Sequence, residues 1–64
     1  PPRAAAFHSA LVNAAYYCNE ATYQAIAGAQ YQDARHFDEA RKSIAICHDG
    51  LEIAKQQISS MFNP

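Results

Sequence analysis

The chain is predicted to be all-α, an antiparallel hairpin of two long helices over about residues 4–34 and 37–62. Three observations predict it. Prolines stand only at the ends (Pro1, Pro2 and Pro64), and the only glycines are Gly28 and Gly50. Ala, Gln, Glu, Leu and Lys are common and β-branched residues few, a composition that favours helix throughout. Apolar residues recur at alternating three- and four-residue steps on both sides of a single break, which is helical spacing.

The first helix is apolar on two opposite faces and carries only two formal charges, Glu20 and Asp33. One face is Phe7, Leu11, Ala14, Cys18, Ala21, Ala25 and Gly28. The other is Ala5, Val12, Tyr16, Tyr23 and Ile26. A helix that needs cover on two sides is a central helix. Nine alanines between residues 4 and 27 permit close backbone approach. Phe7, Tyr16, Tyr17, Tyr23 and Tyr31 supply bulk, and such a small–large mixture specifies packing better than uniform Leu. Pro1-Pro2 suits a lead-in or the first helical position, where a missing N–H costs nothing.

The second helix has one apolar stripe, Phe37, Ala40, Ile44, Cys47, Leu51, Ala54, Ile58 and Met61, and a charged back. A stripe kept over three heptads is the mark of a helix packed along another helix. Leu11, Ile44, Leu51 and Ile58 are therefore expected between the helices. Gly50 costs about 1 kcal/mol against Ala in a helix, but the stripe keeps phase across Asp49-Gly50, so one helix is expected. Asn63-Pro64 fits a stop. Asp38 with Lys42, and Glu52 with Lys55, are read as surface pairs.

The turn has two candidate positions. Gly28-Ala29-Gln30 would use Gly28 as a C-terminal cap. Arg35-His36 would place Asp38 and Glu39 in the first turn of the next helix, where its dipole favours anions. The stripe continues through Tyr31 and Ala34, which favours the later position.

Sixty-four residues make a single domain at the lower edge of independent folding, or a piece excised from a larger protein. Half the residues are apolar, too many for a disordered chain. Polar residues interrupt every apolar run, so no membrane span is expected. Net charge is −1 and the basic residues are scattered, with Arg41-Lys42 their only adjacent pair. Nucleic-acid binding needs a basic stripe, and none is present in the sequence.

The stretch from Gly28 to Cys47 resembles the core of a tetratricopeptide repeat. Gly28, Tyr31, Phe37, Ala40 and Ile44 occupy the family's recurring positions, and Phe37-Asp38-Glu39-Ala40 looks like the start of its second helix. Gln24 stands where the family has an early Trp, and Arg35 where it has its turn Gly. Microtubule-interacting-and-transport domains and Bro1-type helical domains carry a similar aromatic-x-Glu-Ala start. The resemblance implies a helical hairpin used for protein contacts.

No side-chain constellation indicates catalysis. Cys18 and Cys47 fall on the inward stripes and are expected as buried free thiols, which pack as small hydrophobes. With either turn position they lie six residues out of register, about 9 Å along the axis. Only a turn centred near Gln32-Asp33 would align them for a disulfide. His8, His36 and His48 lack paired metal spacing. His48 with Glu52 is the nearest approach to a ligand pair, whereas structural zinc takes four ligands. No cofactor or metal is expected.

The candidate interface is the second face of the first helix: Val12, Tyr16, Tyr23 and Ile26. Tyrosine gives large contact area with a polar tip, as interfaces use it. The expected function is a non-catalytic interaction or assembly module that completes a four-helix bundle by homo-oligomerisation or with a helical partner. Two alternatives remain open: a fragment of a larger helical domain whose Tyr face is internal, and a small-molecule or metal-binding bundle.

Overall fold

The computed structural model describes residues 2–62 and is an all-α helical hairpin. Helix α1 runs Pro2–Tyr31 and α2 runs Ala34–Phe62, packed antiparallel in a rod of 49 × 14 × 11 Å. Pro2 opens α1, as its fixed φ allows. Pro1 and the expected stop at Asn63-Pro64 lie outside the described residues.

The turn is at Gln32-Asp33, between the two positions the sequence suggested, and the helices begin and end accordingly. Gln32 takes the left-handed conformation, φ 50°. The Asp33 N–H donates back to the Gly28 carbonyl at 3.1 Å, closing the six-to-one loop of a Schellman cap. Asp33 then caps α2. Its Oδ1 accepts the Arg35 N–H at 3.0 Å, the geometry of an N-cap side chain. Gly28 is thus three residues inside the helix end instead of past it, and Asp38 and Glu39 follow the first turn of α2. The surface pairs also differ from expectation: Asp38 pairs with Arg41, and Glu39 with Lys42 at 3.2 Å.

The seam between the helices is built from small side chains. Ala14, Ala21 and Gly28 of α1 are buried with Ala40, Ser43, Cys47, Gly50 and Ala54 of α2. This corrects the expected seam. Leu11, Ile44, Leu51 and Ile58 are all exposed, by 38%, 58%, 48% and 41%. A Cβ added to Gly50 would stand 3.0 Å from the Ala14 Cβ and 3.4 Å from the Ala10 carbonyl oxygen. Backbones this close leave no room for a Leu or Ile between them, so Ile44, Leu51 and Ile58 are turned outward, whereas nearer the turn the Phe37 ring lies against Gly28.

A disulfide fixes that approach. Cys18 and Cys47 are bonded, with Cα atoms 5.3 Å apart, and no cysteine is free. The expectation of buried free thiols is therefore wrong, because it followed from the wrong turn. With the chain reversing at Gln32-Asp33, residues 18 and 47 lie opposite each other. Nearer the turn, Gln24 links the helices by a 2.8 Å hydrogen bond between its Oε1 and the His36 Nδ1. Gln24 Nε2 also donates to Glu20 Oε1 at 3.0 Å.

Candidate functional site

Helical phase sets which residues share each side of the rod. Each residue advances a helix by about 100°. Leu11 and Cys18 are a little under a quarter turn from the middle of the α1 seam. Phe37, Ile44, Leu51 and Ile58 are displaced from the α2 seam by about the same amount in the same sense. In an antiparallel pair, equal rotations of both helices fall on one side. These residues therefore form a composite flank spanning both helices. Every one of them is exposed. The opposite flank is mixed, with Asn13, Glu20 and Gln57 beside Ile46 and Ile53.

The four residues picked out as an interface lie elsewhere, on the back of α1 opposite the seam. Val12, Tyr16, Tyr23 and Ile26 are 55%, 62%, 66% and 52% exposed. Tyr16 packs edge-on against Tyr17 with ring centroids 5.1 Å apart, which props its ring outward. A shallow groove runs beside it between His8, Ser9, Val12, Asn13 and Tyr16. All five come from one helix, so the groove has no second wall to enclose a ligand. The back of α2, by contrast, is polar, with Asp38, Lys42, Asp49 and Glu52 exposed.

The flank is the feature that sequence reasoning assigned wrongly. Its residues were recognised as apolar and helically spaced, but a stripe alone does not tell which of its members touch the partner helix. The usable signal was size: Ala40, Cys47 and Ala54 alternate with Phe37, Ile44, Leu51 and Ile58. A second row, Ser43 and Gly50, extends the small surface on the other side.

The surface has little charge-driven chemistry. The strongest electrostatic feature is at the turn, where Arg35 Nη2 meets Asp33 Oδ2 at 2.7 Å. The hydrogen bonds from the Arg35 guanidinium and N–H hold the Asp33 carboxyl down from 3.8 to about 2. Arg35 is raised in return. The pair is exposed and serves the cap. Among the described residues no group of three His, Cys, Asp or Glu could hold a metal ion. His48 and Glu52 have no third ligand there. Among the described residues, too, no helix is long and apolar enough to cross a membrane.

Comparison with known protein families, curated proteins and solved structures finds no match.

Proposed function

We propose that the hairpin is a non-catalytic protein-interaction and assembly module that packs its exposed apolar surface against further helices to complete a helical bundle. One observation carries this reading: among the described residues no large apolar side chain is fully buried, although the Phe37 ring lies against Gly28. Every buried hydrophobic residue described is Ala or Cys, while Leu11, Val12, the isoleucines, three of the tyrosines, Phe37 and Phe62 are exposed. Soluble monomers rarely leave apolar surface contiguous on this scale.

The area supports it. The chain exposes 4784 Å² at 7.0 kDa. A folded monomer of that mass exposes about 4,000 Å². The excess approaches the roughly 800 Å² per partner that a standard interface covers. A second copy related by two-fold symmetry would bring two such flanks together as a four-helix bundle. The resemblance to tetratricopeptide-type hairpins points the same way.

A second reading draws on a different observation. The flank and the Tyr face lie on different sides of α1, and one two-fold contact covers only one of them. Helices supplied by the rest of a larger domain would cover both.

Sedimentation of the oxidised chain at two concentrations, with Leu51→Glu and Tyr16→Glu variants, tests these readings. A discrete dimer abolished by Leu51→Glu supports the module. Open-ended aggregation relieved only by both substitutions supports the larger domain. A well-folded monomer at high concentration, indifferent to both, overturns the assembly function.

A further inference from the structure

We propose that the Cys18–Cys47 bond is a redox latch, holding α1 beside α2 and the composite flank on display only while it is oxidised. The inference goes beyond the assembly reading, because the pairing of the helices can be measured without any partner.

The bond joins the middle of α1 to the middle of α2 across 29 residues of sequence. Apart from the Phe37 ring against Gly28, the buried noncovalent seam it crosses is Ala, Ser and Gly, residues with little apolar area to remove from water. Near the turn, the cap and the Gln24–His36 hydrogen bond also join the two helices. Small chains with so little core commonly depend on a covalent staple. The cross-link acts chiefly by restricting the unfolded chain, so breaking it enlarges the open ensemble.

The two cysteines differ in exposure. Cys47 is 2% exposed, whereas Cys18 is exposed on the flank. A thiolate of a small dithiol attacks Cys18 Sγ, the S–S bond breaks, and Cys47 leaves with the electron pair and takes a proton. The second thiol of the reductant then resolves the mixed disulfide and leaves Cys18 as a thiol. Two electrons pass to the protein and the dithiol ends as its own cyclic disulfide. Leu11 lies on α1, and Ile44 and Leu51 on α2, so separation of the helices divides the flank. The working form is thereby assigned to oxidising surroundings, such as a secretory lumen, the extracellular space or a periplasm, where such bonds persist.

The test compares the chain as isolated, after dithiothreitol, and after reoxidation, with Cys18→Ser as a second route to the unlatched state. Mass under non-reducing conditions should show the protein lighter by two hydrogens than its reduced form. After reduction, iodoacetamide should modify both cysteines at similar rates, helicity should fall, and reoxidation should restore both. Cys47 remaining more than about tenfold slower than Cys18, with an unchanged melt, would mean the hairpin stays closed without its bond and would overturn the latch. So would a chain that carries two free thiols as isolated. Loss of pairing on reduction without any change in oligomeric mass would keep the latch and remove the assembly reading instead.

Discussion

Gly50 of α2 lies directly on Ala14 of α1, so near that a Cβ at position 50 would stand 3.0 Å from the Ala14 Cβ. That contact sets the spacing of the helices at this level and explains why large side chains are excluded there. Ala14 cannot yield by rotating, because its Cβ is fixed to the backbone. The nearby Cys18–Cys47 bond opposes separation of the helices.

Gly50→Val should therefore destabilise the oxidised hairpin by about 1–3 kcal/mol, the cost of overpacking. A helix interior ordinarily gains on losing Gly, so the sign is informative. Thermal melts under non-reducing conditions measure it. An increase in melting temperature would show that the helices are free to part at this level.

Leu51→Ala separates seam from flank. Full truncation of a buried Leu costs about 2–5 kcal/mol. Leu51 is 48% exposed, so its loss from the isolated hairpin should cost about 1 kcal/mol. A larger loss should appear only in conditions where the chain is assembled. Denaturant titration at low and high protein concentration distinguishes the two.

Gln32→Gly should stabilise the hairpin by up to about 1 kcal/mol. A side chain in the left-handed region costs about 1–2 kcal/mol, partly offset by the greater freedom glycine gives the unfolded chain. Gln32→Val should do the reverse, because a β-branched residue tolerates that conformation least. Urea midpoints of the three forms, all with the disulfide intact, rank the turn.

The Asp33 cap should be lost in acid. Its carboxyl is held at about 2 in the fold against 3.8 ordinarily, chiefly by the Arg35 side-chain hydrogen bonds. A depressed carboxyl pKa adds stability that is complete above the ordinary value and disappears as pH falls through the folded one. Melting temperature should therefore drop between pH 4.5 and pH 2. In Asp33→Asn, which still caps but carries no charge, that part of the drop should vanish. Identical acid profiles for the two proteins would show that the ion pair contributes nothing.

The helices and their approximate extent were legible in residue order alone. Helical spacing is a local property, and with proline confined to the ends nothing interrupts it. The hairpin followed because each helix has an apolar side that needs cover. The turn was less legible. Gly28 drew attention as the usual cap, yet the chain reverses four residues later on a glutamine. The better signal was Asp33, a good N-cap residue immediately before α2.

What only the tertiary structure decided depends on the distance between the two helices, and no single helix encodes that distance. A reversal at Gln32-Asp33 brings residue 18 opposite 47, and the register then permits the disulfide. The close approach admits Ala14, Ala40, Ser43, Gly50 and Ala54 to the seam and turns Ile44, Leu51 and Ile58 away. Sequence determined that this chain is two helices with more apolar surface than one contact can cover. The packing decided which part of that surface stays open, because side-chain volume, not hydrophobicity, selects what fits between two backbones in contact.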